Sequence, residues 1–392
     1  MTLVEQHIIK KSDSRYAELY SVCHLSKNLY NVGLYRTRQY YFENKKFLNY
    51  CSLTSLLTKE NDVDYRALPA KVSQQTLKLV EQNFKSFFGG IKVKDNKTKL
   101  PKYKDKGGVF TTTYTSQAIS KKELKKGIIK LSKVESTFKT SKTNIQQVRI
   151  IPKNNKIVVE VVYIIDNIEA LADNERYASI DLGLNNIATV SSNVMKPFII
   201  NGKPLKSINQ YYNKKLANLK SKLKNDKKSS KRIRNLTDKR GNKIKDYLHK
   251  SSTILVNQLV SNDLNTLVIG NNKGWKQDIN IGKRNNQQFV QIPHAVFIKM
   301  LEYKCKLKGI NVLLTEESYT SKCSFLDDED IKKHKVYRGN RIKRGLFKSS
   351  EGVLINADVN GSLNILKKVV GKFNYNPIEV CSTPTVITVK FN

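Results

Sequence analysis

Residues 177–202, YASIDLGLNNIATVSSNVMKPFIING, decide how the second half of the chain is read. Three short apolar runs, YASIDLG, NIATVSS and PFIING, are separated by turn residues, so they form successive strands of a meander. Downstream the pattern alternates. A long basic helical region carries apolar positions Ile244, Leu248, Ile254, Leu255 and Leu259, and the strand TLVIG follows at 266–270. A second helix, marked by Pro293, Phe297, Met300, Leu301 and Cys305, stops at Gly309 before the strand INVLLT at 310–315. A meander followed by alternating helix and strand is an α/β arrangement.

Upstream, TLVEQHIIK at 2–10 reads as a strand, and residues 14–88 carry helical spacing, with Leu19, Val22, Leu29 and Val32, then Leu77, Val80, Phe84 and Phe88. From 92 to 174 the pattern changes to short β-branched runs, GVFTTTYTS, GIIKL, QVRIIP and KIVVEVVYII. This predicts a small β domain into which the helical segment is inserted. Tyrosines and lysines interleave along that segment; they fit either a helical core or a nucleic-acid surface.

With 392 residues and 39% hydrophobic content the chain can bury a sizeable core, and its length suggests two or three domains. A net charge of +38 favours a polyanionic partner, nucleic acid first. An anionic membrane is the other polyanion, but no apolar run of spanning length, lipidation motif or signal-peptide core is visible, so no membrane partner is expected. Five scattered cysteines without a C-x-x-C pair fit free thiols in a reducing compartment, and the expected location is the cytoplasm, on the nucleoid of a prokaryote. Residues 203–250 hold 17 Lys or Arg against three acids, interrupted by Tyr211, Tyr212 and Tyr247. A one-signed surplus with interleaved aromatics points to a nucleic-acid backbone contact, with Lys214, Lys215, Lys220, Arg232, Arg234, Lys239 and Arg240 as the candidates.

Two acids stand at element ends. Asp181 closes an apolar strand directly before a Leu-Gly turn, where a carboxylate sits at the rim of a sheet and Gly183 lets the chain turn sharply; a plain turn aspartate is the alternative. Asp358 opens a helix whose buried face is Leu363, Leu366 and Val370, so it reads as an N-cap or as a site residue. Asn356, Asn360 and Asn364 add a polar face that capping does not require. Two-metal phosphodiester hydrolysis needs hard oxygen ligands around a pair of Mg²⁺ ions roughly 3.5–4 Å apart. Two carboxylates are rarely enough, and a third is expected from the strand neighbouring Asp181.

IDLGLNN, followed far downstream by YTSKCSF, RIKRGLF and NADVNGSLNIL, resembles the TnpB proteins of bacterial insertion sequences, the OrfB transposase family related to type V CRISPR effectors and Fanzor nucleases. The resemblance runs along essentially the whole chain. It implies an α/β RNase H-like (RuvC) nuclease domain over 175–319 and 352–375. It also implies a small β-barrel wedge domain over 1–13 and 92–174, with a helical recognition domain inserted at 14–91. Residues 320–351 would be a degenerate zinc-ribbon-like insertion and 376–392 a C-terminal tail. The implied function is an RNA-guided DNA endonuclease, using two Mg²⁺ ions, a guide RNA from the transposon end, and target double-stranded DNA next to a short transposon-associated motif.

Two departures from the family pattern matter. Most relatives end the strand equivalent to TLVIG in a catalytic glutamate, where this chain has Gly270. In some relatives, Fanzors among them, the glutamate has moved to the following strand, just before a Tyr-Thr-Ser motif, where Glu316 and Glu317 stand here. In an RNase H sheet that strand lies two positions from Asp181, about 10 Å away; a glutamate's arm, an aspartate's and two metal bonds span it. Side chains alternate across a strand, so one glutamate faces the metals. Glu317 is the choice and Glu316 the reserve, giving Asp181, Glu317 and Asp358 as the catalytic, metal-binding set.

The second departure concerns zinc. Between Thr320 and Asp358 only Cys323 and His334 are available, short of the four ligands a structural site takes, so no zinc is expected. A metal-free hairpin is expected instead, keeping a nucleic-acid contact through Arg338, Arg341, Lys343, Arg344 and Lys348. The Gly- and Asn-rich loop around Trp275 either lines the catalytic groove, with Lys276 and Arg284 near phosphate, or is pinned to the core by its tryptophan. Rival readings are a guided DNA-binding protein that does not cut, and a strand-transferring transposase.

Overall fold

The computed structural model describes all residues except 94–97, 225–226, 273, 275–281, 283–285, 288–289 and 392. It divides into two compact units, Met1–Asn167 and Ile168–Asn392.

In the first unit, β1 (Thr2–Lys10) is followed by α1 (Tyr16–Asn44), α2 (Tyr50–Lys59), α3 (Val63–Ala67) and α4 (Ala70–Lys92), then by β2 (Thr112–Thr115), α5 (Lys121–Lys125), β3 (Ile128–Lys130), β4 (Thr137–Lys139), β5 (Ile145–Pro152) and β6 (Lys156–Ile164). Helices α1 to α4 thus fall between β1 and β2 in chain order. The main sheet is antiparallel with order β1-β6-β5-β2, and β3 and β4 form a separate ribbon. Leu19, Val22 and Leu29 of α1 and Leu77 of α4 join Val148, Ile150, Val159 and Val161 of the sheet in one core. At roughly 1.5–3 kcal/mol for each buried aliphatic side chain, that shared core makes helices and sheet one cooperative unit.

The aromatic segment divides between a buried core and the surface. Tyr30 and Phe84 are buried, and Tyr41 packs against Phe84, Phe87 and Phe88. Tyr20, Tyr35 and Tyr40 are exposed.

In the second unit the meander is β7 (Tyr177–Asp181), β8 (Asn186–Ser192) and β9 (Phe198–Asn201). The helices α6 (Lys203–Ser221) and α7 (Lys231–Ser261) lead to β10 (Thr266–Gly270); α8 (His294–Lys306) leads to β11 (Asn311–Thr315). A small antiparallel sheet follows, β12 (Asn340–Lys343), β13 (Leu346–Lys348) and β14 (Leu354–Asn356), then α9 (Ala357–Val370), α10 (Pro377–Cys381) and β15 (Thr385–Ile387). The main sheet has order β11-β10-β7-β8-β9-β15, with β10 parallel to both β7 and β11. The stretch 376–392, expected to be a tail, supplies α10 and the edge strand β15, paired parallel to β9.

Alternation along the strands divides the sheet's two faces. Ala178, Ile180, Leu267 and Ile269 pack with Leu255, Leu259, Phe297 and Leu301 of α7 and α8. The intervening positions, Ser179, Asp181, Val268 and Gly270, face α9, where Val268 packs on Ile365 and Leu366. Asp181 is thereby placed on the α9 side by the same parity that buries Ile180 on the other.

The insertion is held by an apolar cluster. Phe325, Phe347, Ile355, Leu363 and Val380 are buried together, with Phe373 and Tyr375 against them. Glu329, also buried, accepts hydrogen bonds from Ser324 N (2.8 Å) and Arg338 N (2.9 Å), tying the two ends of the loop before β12.

Candidate active site

The NADVNGSLN motif acquires a role for nearly every residue. Asn356, rather than Asp358, is the N-cap of α9: its Oδ1 accepts from Asp358 N (3.0 Å) and Val359 N (3.2 Å). The capping alternative for Asp358 is therefore corrected. Its carboxylate lines the groove from the second helical position, where the helix dipole favours negative charge. Asn360 and Asn364, both fully buried, do not form an open polar face. They fasten α9 to the turn after β11: Asn360 accepts from Phe325 N and donates to Cys323 O, while Asn364 donates to Thr320 O and Cys323 O. Ser362 and Ser179 form a buried clamp in which each hydroxyl donates to the other's carbonyl, at 3.1 and 2.6 Å. At Gly361 a Cβ would stand 3.0 Å from Asp181 Oδ2, so the absent side chain leaves room for that carboxylate.

The turn after Asp181 is fixed from the opposite side. His294, fully buried, donates from Nε2 to Gly183 O at 3.0 Å. Asn186, from the LNN of the opening stretch, donates to Asp358 Oδ2 at 2.7 Å. Arg341 reaches the other oxygen of Asp358 at 3.2 Å from β12. A groove of about 800 Å³ opens here, lined by the acids Asp181 and Asp358, by Asn185 and Asn186, and by the cations Lys203, Arg341, Lys343 and Arg344.

The Glu317 side chain lies over Gly270 of β10, the strand between β11 and β7. The Glu317 backbone N donates to Asn272 Oδ1 (2.9 Å) and its Oε2 accepts from Asn272 Nδ2 (3.3 Å), while Oε1 is buried with no hydrogen-bond partner among the described residues. Burial pushes the Glu317 carboxyl up to about 7, with Glu316 adding to the shift. Asp181 is held well above the usual carboxylate range, first by burial and then by the charges of Glu317 and Asp358, against the opposing pull of Arg341. Glu316 faces away: it pairs with Lys368 Nζ at 2.7 Å and accepts from Ser318, which holds its pKa at about 2. Of the two adjacent glutamates, the reserve residue is the one paired with a lysine.

These features fit divalent cations in donor type: three hard carboxylates, one with an orphaned buried oxygen, in a cluster whose mutual repulsion a cation would relieve. Among the described residues no three acidic, His or Cys side chains are arranged to grip one ion, and Asp358 is engaged by Arg341 and Asn186.

The remaining candidates distribute unevenly. Arg341 and Arg344 line the groove; Arg338 is exposed nearby and donates to Asp327 O. Lys214, Lys215, Lys220, Arg232, Arg234 and Lys239 are exposed on α6 and α7 and do not line it. Arg240 is turned inward: it bonds Asn209 Oδ1 and Gln291 O and stacks on Tyr212, which takes it out of the set of open phosphate contacts. Lys276, Arg284 and Trp275 lie outside the described residues. Sequence reasoning missed Lys203, Asn186, Asn272, His294 and the Ser179–Ser362 clamp. Of these only Asn186 carried a signal, its place in the LNN turn.

A model of the OrfB_IS605 family, described as a probable transposase, matches residues 156–276, and one of the Cas12f1-like TNB domain matches residues 294–365. The chain is 25% identical over 205 residues to the TnpB-like protein ORF457 of Acidianus two-tailed virus. Together these matches support a TnpB-type protein. The match to the viral relative covers 50% of this chain and 42% of the relative's length. The Cas12f1 protein in a cryo-EM structure of a Cas12f1–sgRNA–target DNA complex superimposes with a TM-score of 0.52 at 16% identity, covering 89% of this TnpB-type chain and 81% of the other. The shared fold is the RuvC-containing one. No described helix is long and apolar enough to cross a membrane.

Proposed function

We propose that this chain is an RNA-guided DNA endonuclease that hydrolyses phosphodiester bonds in DNA complementary to a bound guide. The observation that supports the reading is a groove lined by Asp181 and Asp358 together with Lys203, Arg341, Lys343 and Arg344, with Glu317 near enough to raise the Asp181 pKa. Asp181, Glu317 and Asp358 would hold two Mg²⁺ ions, which in such sites activate the attacking water and stabilise the leaving oxygen. The chain's own contribution is positional. Asn186 orients Asp358, Asn272 orients Glu317, and the Ser179–Ser362 clamp fixes α9 against β7. The basic wall neutralises the phosphates of the strand as it enters.

Residues 1–13 and 92–174 then serve as the wedge domain, 14–91 as the recognition domain, and 175–319 with 352–375 as the nuclease. Residues 320–351 form a zinc-free nucleic-acid contact. The exposed cations of α6 and α7 suit the backbone of a guide RNA or its heteroduplex with target DNA, a partner class shared with the Cas12f1 complex. The guide would come from the transposon end and the protein would act on the nucleoid in the cytoplasm. The test is to purify the chain with its bound RNA, sequence that RNA, and measure Mg²⁺-dependent cleavage of a matched plasmid. Asp181→Ala is expected to bind target and leave it intact.

A second reading is guided binding without cutting. It is favoured by the engagement of Asp358 with Arg341, and equal inertness of wild type and Asp181→Ala, with target binding kept, would select it.

A further inference from the structure

Gly270 stands at a position where its backbone does not need a glycine. It is the last residue of a buried parallel strand, paired with Thr315, and its φ lies outside the left-handed region. Glycine weakens a strand interior, and its presence there marks close approach of another group. The group is the Glu317 side chain. A Cβ at 270 would lie 2.6 Å from Glu317 Cγ and closer still to its Oε1, with Ile365 Cδ1 of α9 at 2.7 Å. The β10–β7 register runs to Ile269 opposite Ile180, which sets Gly270 beside Asp181. Any side chain travelling from the end of β11 to Asp181 must cross β10 at this residue.

We propose that Gly270 is a positioning residue: its missing side chain is the passage by which Glu317 reaches Asp181, and Asn272 fixes the carboxylate once it is there. This rests on the reading of Glu317 as the third carboxylate. The two unusual positions are one feature. With a glutamate at 317, β10 cannot carry a side chain at 270; a carboxylate carried by 270 itself would occupy the same space and make Glu317 redundant. Asn272 completes the arrangement by holding both the backbone N and Oε2 of Glu317.

Because a methyl at 270 also meets Ile365, the test uses the full chain in an Ile365→Val background, which removes Cδ1 and so the clash with α9. Crystal structures and Mn²⁺ titration calorimetry compare Ile365→Val with Gly270→Ala/Ile365→Val. The added methyl is expected to displace the Glu317 carboxylate from Asp181 and to weaken Mn²⁺ binding about 10- to 100-fold, the usual cost of losing an orienting partner. A Gly270→Glu/Glu317→Ala swap is expected to recover affinity to within roughly tenfold of the parent, which a merely structural role for Gly270 does not predict. An unmoved carboxylate, or unchanged affinity in Gly270→Ala/Ile365→Val, overturns the proposal. If the Ile365→Val parent binds no Mn²⁺, the nuclease reading falls, and the crystal comparison alone decides the steric claim.

Discussion

Replacing Arg341 by glutamine separates two effects that the site superimposes. Arg341 Nη2 lies 3.2 Å from Asp358 Oδ1, with 47% of the arginine side chain and 31% of the aspartate exposed. Two unit charges about 4 Å apart attract by about 1 kcal/mol in water and about 4 kcal/mol at an effective dielectric of 20. Exposed ion pairs are worth only ~0–1 kcal/mol once entropy and screening are included. Half exposure puts this pair near the lower figure, so a cation that recruits Asp358 gives up about 1 kcal/mol to the competition, roughly fivefold in affinity. Removing the guanidinium also removes its repulsion of the cation, an effect of the same sign. Arg341→Gln should therefore bind Mn²⁺ more tightly, by roughly two- to tenfold, yet cut more slowly because the groove loses a bidentate phosphate contact. Calorimetry at fixed ionic strength reads the first effect and single-turnover cleavage of a labelled duplex the second. Unchanged or weaker Mn²⁺ binding refutes the reasoning, because Asp358 would then not be shared between Arg341 and a cation.

Other expectations follow from the same geometry. Without metal, Glu317 is protonated in the folded state up to about 7 against an ordinary value of 4.5, so folding binds an extra proton between those limits. Stability of the chelated protein should fall as pH rises from 4.5 to 7, by at most ~3 kcal/mol from this group. Urea titrations should show that component missing in Glu317→Gln. Mg²⁺ affinity should strengthen over the same window, with proton release visible as a buffer-dependent heat. Glu316→Gln, whose carboxylate faces Lys368, should leave Mn²⁺ affinity within about twofold of wild type, because exposed pairs contribute little. Asn360→Ala strands the buried Phe325 N–H, while Cys323 O keeps its bond from Asn364, and should cost about 1–3 kcal/mol in urea unfolding. A loss under 0.5 kcal/mol would show that the turn holds without it.

The meander, the parallel strands and Asp181 were legible because alternation and turn chemistry act over a few residues. Helical spacing likewise exposed the buried face of α9. What the sequence hid depends on residues far apart in the chain. Gly270 reads as a loss until Glu317 is seen crossing it, and His294 reads as a helix-start residue until its imidazole meets Gly183. The asparagines of NADVNGSLN look like an open polar face; only the turn of residues 320–325 shows that they are clasps. The strand β15 has three residues and pairs only by adding to β9, so nothing local announces it. Arg240 misled for the opposite reason: a charge run gives no sign of which member turns inward.

The proposed function makes Asp181, Glu317 and Asp358 one metal-dependent cutting site served by a guide. The most direct measurement is cleavage of a guide-matched plasmid in Mg²⁺ by the protein with its co-purified RNA, comparing wild type with Glu317→Gln. Wild type should linearise the plasmid, and Glu317→Gln should bind it with equal affinity and leave it uncut. Cutting by Glu317→Gln at the wild-type rate would contradict the account.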